Sequence, residues 1–191
     1  MIEQLKIDFD KINESLKLSS KSLELRKQNL NQFVENGFPN KRLEDWKFSD
    51  LNQIITSNIK NLSFYNNTTQ TEIDESIFIK NCKHNKIVFI NWEISGVDLS
   101  YEDEAKIILT KDLDHNQSLK EVNPLVSLNN ALILTYIKMT IKESYSLNKP
   151  LIIYNVTTKD LKSTVLNFKI EIILEKNSSL NLEKGYGIQL S

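Results

Sequence analysis

Cys82-Lys83-His84 is the place where a thiol and an imidazole come closest in this chain. A thiolate beside an imidazole begins either a nucleophilic pair or a soft metal site. A structural zinc or cluster site takes about four ligands. The chain offers 1 Cys and 2 His in all, His84 and His115, far apart in sequence. Cys82 is therefore read as a loop cysteine and the two histidines as surface residues. Two carboxylate clusters come next, Glu44-Asp45 and Glu102-Asp103-Glu104. General acid/base work needs two carboxyls facing one another across a substrate, with pKa values pushed apart. Neighbours on a solvated turn do not face each other. Helix-end electrostatics and ion pairing with Arg42 or Lys47 account for the first cluster. Neither GxxxxGK[ST] nor GxGxxG occurs, so no loop is built to cradle a nucleotide phosphate. Gly185-Tyr186-Gly187 reads as a turn or a bulge. Trp46, Phe38 and Phe48 are expected to bury their turn against a helical region, each aromatic hiding about 150–250 Å². No catalytic, cofactor-binding or metal-ligating residue is assigned, and enzymatic activity is not expected.

Bulk properties narrow the classes further. The 191 residues carry 24 Lys and Arg against 25 Asp and Glu, for a net charge of -1. Displacing counterions from a nucleic acid needs a basic stripe, which this balance does not supply. No apolar run reaches the roughly 20 residues of a membrane helix. The opening Met1-Ile2-Glu3-Gln4-Leu5-Lys6 lacks a basic segment leading into an apolar one, so export is not expected and a cytoplasmic location is. One cysteine excludes an internal disulfide. A chain of this length buries roughly 70% of its unfolded surface, enough for a real core.

The hydrophobic pattern changes period along the chain. Residues 1–65 read as a helical region. Ile2, Leu5, Phe9, Ile12 and Leu16 form one apolar stripe, and Ser19 or Ser20 stops that helix and caps the next. Leu23, Arg26, Leu30, Phe33 and Val34 continue a helical period up to Gly37, a C-terminal cap followed by Pro39. Ser49 is the expected N-cap of a third helix buried through Leu51, Ile54, Ile55 and Ile59, with Asp50 near its positive end. Residues 66–135 read as a mixed α/β connecting region. A polar linker over about 60–75 opens it, strands are expected at 87–90 and 106–109 with a turn at Ser95-Gly96-Val97-Asp98 between them, and a helix runs over 124–135. Trp92 is expected to close a small core beside the first of these strands. From Tyr136 the period is two. Ile137, Met139 and Ile141 alternate with polar residues, 151–156 is apolar, and Leu166, Phe168, Ile170, Ile172 and Leu174 alternate again. Leu180 and Leu182 follow, with Tyr186, Ile188 and Leu190 in phase. Such strands suit a meander, a sandwich or the first coils of a β-helix, and periodicity does not choose among them.

Residues 37–51 carry a resemblance. Gly37, Pro39, Arg42, Glu44, Asp45, Trp46 and Lys47, followed by Phe48-Ser49-Asp50-Leu51, resemble the "GLP..R.EDWKYTDL" signature of SufD-type members of the SufB/SufD family, scaffolds of iron–sulfur cluster assembly. Lys86–Asn91 with Gly96 and Leu99-Ser100 is similar to the family's "vfvNG…LS" segment. Asn123–Ala131 is similar to its "n.F..LN.A" helix, and Lys149–Tyr154 to its "kPi.l.h" strand. The SufB-type Trp-Met-Leu-Glu-Phe-Arg-Leu opening has no counterpart. The resemblance implies an α+β fold: an N-terminal helical region, then the first coils of a right-handed parallel β-helix over 136–191, truncated. It implies a non-catalytic scaffold, SufB-like and SufC-like partners, and no cofactor in this chain, the Fe–S cluster being handled by the assembled complex. The seven signature residues are expected to be structural. The family's usual glycine after the "LN.A" helix is missing, and no residue here matches its cluster-building Cys and His. An uncapped last coil is expected to make the chain aggregation-prone or dependent on a partner. The reading from another class is a small β-helix carbohydrate-modifying enzyme, but its outward Lys169, Glu171, Asn181 and Glu183 are few and mixed in charge.

Overall fold

The computed structural model describes residues 1–41, 46–58, 62–65, 73, 75–111, 123–158, 161 and 163–188. The described residues form five α-helices and seven strands in an α+β arrangement. They divide into two compact units.

Unit 1 comprises residues 1–66, 113–134 and 163–168. Helices α1 (Ile2–Ser15) and α2 (Ser20–Asn36) form where the apolar stripes predict them. Ser19 accepts from the Ser22 N–H, and Gly37 closes α2 at φ 68° with its N–H on Phe33 O at 2.7 Å. A left-handed φ at this cap suits glycine because a Cβ is strained there. Helix α3 (Leu51–Asn58) is capped by Asp50, whose Oδ1 accepts from Gln53 N at 2.9 Å, and not by Ser49. A carboxylate satisfies an orphan N–H and opposes the helix dipole, a double advantage over a hydroxyl. Ile55 is buried as expected, but Ile54 is exposed, and Ile59 lies outside the described residues. Helix α5 (Pro124–Leu132) starts with Asn123 accepting from Leu125 N. It ends before Thr135, which belongs to a strand. The core gathers Leu5, Phe9, Ile12, Leu30, Phe33, Phe38, Leu128 and Leu132 with Leu62 and Phe64. Within the expected polar linker, residues 62–65 therefore pack inward, and most of the rest of it lies outside the described residues. Asp8 holds this segment, accepting from Phe64 N at 2.8 Å with one oxygen and from Gln4 with the other.

Unit 2 comprises residues 67–112, 135–162 and 169–191. Strands β1 (Asn85–Ile90) and β2 (Glu93–Asp98) form an antiparallel hairpin. The turn is Asn91-Trp92, at φ 48° and 68°, and not Ser95–Asp98. Two left-handed central residues make the tight turn whose twist suits a hairpin. Gly96, read as a turn residue, instead lies in β2 opposite Val88, next to a register shift, with open space where a Cβ would stand. Trp92 sits in the turn itself, its ring tilted against Phe89. After the short α4 (Tyr101–Glu104), β3 (Ile107–Lys111) pairs antiparallel with β4 (Thr135–Ile141).

The remaining strands are β5 (Leu151–Thr157), β6 (Phe168–Leu174) and β7 (Leu182–Ile188). One sheet has the order β2-β1-β5-β7 and the other β3-β4-β6. Both sheets are open. β5 is parallel to β1 and to β7, with Leu151 opposite Leu182. The ends of β4 and β6 lie side by side in the same direction: Leu134 N bonds Asn167 O and Glu175 N bonds Ile141 O. The corner after β4 meets the corner after β6 through a parallel bridge of Ser146 with Ser179. The step along the chain from Ser146 to Ser179 is nearly the same as that from Leu151 to Leu182. Ile87, Phe89, Ile107, Ile137, Met139, Ile141, Leu151 and Ile153 from both sheets share one core. Each fully buried Ile, Leu or Phe contributes about 1.5–3 kcal/mol.

Gly185-Tyr186-Gly187 is part of β7 and not a turn. Gly185 faces Tyr154, and a Cβ there would lie 3.1 Å from the Tyr154 ring. That ring cannot retreat easily: it is buried, packs edge-on to Phe78, and its hydroxyl holds Ile79 N at 3.1 Å. Gly185→Val is expected to lower stability by about 1–3 kcal/mol through overpacking. Gly185→Ala should be near neutral, because lost glycine entropy offsets the contact. Urea unfolding of both variants checks this. An undiminished Gly185→Val midpoint would mean that the ring yields.

Candidate functional site

The described residues of the signature segment lie between α2 and α3. Gly37 ends α2, and the carbonyl of buried Pro39 receives Leu51 N at 3.1 Å and Asn52 N at 3.3 Å, the first donors of α3. Trp46 is half-buried, and its carbonyl accepts from Ser49 N at 2.8 Å. Lys47 is exposed, with its ammonium 5.1 Å from the Phe48 ring centre. Phe38 is buried edge-on to Phe33, as expected, but Phe48 is 88% exposed, so that aromatic does not bury the turn. Arg42, Glu44 and Asp45 lie outside the described residues, as does His115. The described part of the segment holds helix ends together and brings no titratable groups into a cleft.

Among the described residues, the densest polar chemistry lies in unit 2, on Asp103. It is fully buried rather than on a solvated turn. Its Oδ2 accepts from Asn85 Nδ2 at 2.8 Å and from Ser100 Oγ at 2.6 Å. Its Oδ1 accepts from the Tyr145 hydroxyl at 2.8 Å and from Asn148 N at 3.2 Å. Burial by itself pushes this carboxyl upward, but the four donors outweigh it and hold Asp103 below the usual carboxylate range. Tyr145 is pushed above the ordinary phenol value by burial, then by its bond to Asp103 and the charges of Asp103 and Glu102. A carboxylate with both oxygens occupied and a lowered pKa is a structural anion and a poor general acid. It joins the start of β1, the exit of β2, α4 and the turn 142–150. The signal in the sequence is Ser100-x-x-Asp103, a helix-start spacing, since Ser100 is the N-cap of α4. Its other partners, Asn85, Tyr145 and Asn148, are remote in sequence.

Beside this knot lies an open cleft of about 330 Å³. Its walls are the segment 82–86 entering β1, the segment 98–100 leaving β2, and Lys149 ahead of β5. Cys82 is exposed and free. His84 Nδ1 is 2.7 Å from Cys82 O, and a carbonyl only accepts, so this nitrogen carries the proton. Its Nε2 then accepts from the Tyr154 hydroxyl at 3.0 Å. Both ring nitrogens are engaged, which leaves the imidazole no lone pair to activate the thiol. Among the described residues, no three His, Cys, Asp or Glu side chains converge as metal ligands. No helix among them is long and apolar enough to cross a membrane.

No protein-family model matches this chain. No curated protein matches it significantly.

Proposed function

We propose that this chain is the leading part of a non-catalytic, SufD-like scaffold of iron–sulfur cluster assembly, acting in the cytoplasm with SufB-like and SufC-like subunits. The cluster is cargo of the assembled complex, and no residue of this chain binds it. The observation that carries the reading is the parallel stacking in unit 2. Leu151 of β5 stacks on Leu182 of β7, and the Ser146 corner on the Ser179 corner, at nearly equal steps along the chain. β4 and β6 run side by side in the same sense. Two strands and a corner recurring at a near-constant step are what successive coils of a right-handed parallel β-helix require. The antiparallel strands β2 and β3 border this stack on one side, while β6 and β7 are the outer strands on the other. Among the described residues no strand pairs beyond β6 and β7, which suits a protein whose work is to be built upon. The described residues Gly37, Pro39 and Trp46, whose backbone groups bond at the end of α2 and the start of α3, support a structural role for that part of the signature.

Size-exclusion chromatography of the chain with purified SufB-like and SufC-like subunits tests the proposal. Co-elution with the SufB-like subunit is expected, without direct capture of the SufC-like one. Separate elution from the SufB-like subunit at micromolar concentrations would overturn it.

A further inference from the structure

The cleft beside Asp103 has a feature that scaffolding does not use: its charged groups are mostly ammonium. Lys83, Lys86 and Lys149 line it with His84 and Ser100, against the single carboxylate of Asp98. Lys86 is held in place, 3.3 Å from Asp98 and 4.5 Å from the Phe78 ring centre. Lys83 and Lys149 have no ion pair among the described residues. Two uncompensated ammonium groups in one concavity repel each other, and an anion relieves that repulsion.

The walls are also fixed in advance. Buried Asn85 donates to Lys149 O at 3.2 Å, accepts from Ser100 N at 2.7 Å, and gives its own N–H to Pro150 O at 2.8 Å. One residue thus pins all three segments that carry the lining side chains. The volume lies at the small end of ligand pockets, too small for a macromolecular surface. The cations are lysines and not arginines. An ammonium is a compact point charge that holds an anion by charge, and two uncompensated ammonium groups favour a dianion such as a phosphate monoester over a singly charged carboxylate.

We propose that this cleft binds the phosphoryl group of a small molecule, with Lys83 and Lys149 as the anion-binding side chains and Lys86 as the third, released from Asp98 when the ligand enters. The proposal does not depend on the scaffold reading.

Amide chemical-shift titration of the full chain with inorganic phosphate, glycerol phosphate and acetate at constant ionic strength tests it. Saturable shifts are expected at residues 83–86, 98–100 and 149 with phosphate or glycerol phosphate, and weaker ones with acetate. Tighter binding of glycerol phosphate than of phosphate would identify a phosphomonoester, and the reverse order the free ion. Lys83→Gln with Lys149→Gln should weaken binding about tenfold or more, with an unchanged spectrum elsewhere. Asp98→Asn should tighten it severalfold by removing the competing carboxylate, a gain that misfolding cannot mimic. No saturation at about 20 mM phosphate, equal binding of acetate, or indifference to both variants would overturn the proposal.

Discussion

Asp103→Ala is expected to lower the stability of unit 2 by about 2–4 kcal/mol, since the Asn85, Ser100 and Asn148 donors are orphaned at about 1–3 kcal/mol each before water offsets part of it, while the Tyr145 hydroxyl keeps the Glu102 carbonyl at 2.9 Å. The donors come from Asn85, Ser100, Tyr145 and Asn148, so the loss loosens β1, the exit of β2 and the turn 142–150 together. Asp103→Asn keeps the shape but turns an amide NH₂ toward donors, and it should recover little. Tyr145→Phe removes one of the four bonds and should cost about 1–2 kcal/mol. Chemical denaturation gives the totals, and amide exchange in β1 and β5 localises them. An Asp103→Ala loss under about 1 kcal/mol would show that water replaces the carboxylate.

The pH dependence has a definite sign. The folded carboxyl of Asp103 lies below its unfolded value of 3.8. Its contribution is therefore full above that value and disappears as pH falls through the lower, folded value. The raised phenol of Tyr145 contributes below its ordinary 10.0 and loses its contribution as pH rises through the higher, folded value. Asp103→Asn should flatten the acid limb of stability below about pH 4 and leave the neutral plateau lower.

The second large effect is expected at Arg26. This guanidinium is buried on α2, and Nη2 donates to Ile133 O at 2.7 Å while Nη1 reaches Ala131 O at 3.4 Å. These are carbonyls at the C-terminal end of α5, where no glycine follows. Ile133 sits at φ -56° and ψ 123°, outside the left-handed region, so the helix has no left-handed cap to satisfy its last acceptors. Arg26 satisfies them from another helix, and a cation at a helix C-terminus also opposes its negative end. Arg26→Ala should cost about 2–4 kcal/mol in unit 1, by orphaning the carbonyls and emptying the space of the stem. Arg26→Met fills that space without donors, and Arg26→Lys reaches one carbonyl. The expected order of stability is Lys, then Met, then Ala. Thermal unfolding measures the order, with exchange at the end of α5 as the local readout; equal stability of all three would remove the capping role.

Where a few adjacent residues decide the outcome, the sequence was legible. Ser19 and Gly37 bracket α2 because a hydroxyl acceptor and a left-handed φ are local requirements. The alternation in β4 and β6 was visible because neighbouring side chains point to opposite faces, whereas β5 is a mostly apolar run buried on both. Reading failed where a local signal had a remote competitor. Ser95-Gly96-Val97-Asp98 has turn composition, yet it is held flat by pairing with β1 while Asn91-Trp92 makes the turn. Asn91 is kept there by two bonds to Thr158, remote in sequence. Arg26 fell on the buried face of its helix by period alone, but its reason for being there lies on α5.

Composition and period by themselves determined the helical first third, the strand-rich tail, the lack of a basic stripe and the ends of α1 and α2. These are properties of neighbours along the chain. Tertiary structure alone decided that Asp103 is a buried anion, that Arg26 replaces a missing cap, and that Lys83, Lys86 and Lys149 share one cleft. Hydrogen bonds and charges act across a few ångströms of space, and the register that sets Asn85 opposite Leu151 is what brings the two ends of that cleft to such a distance.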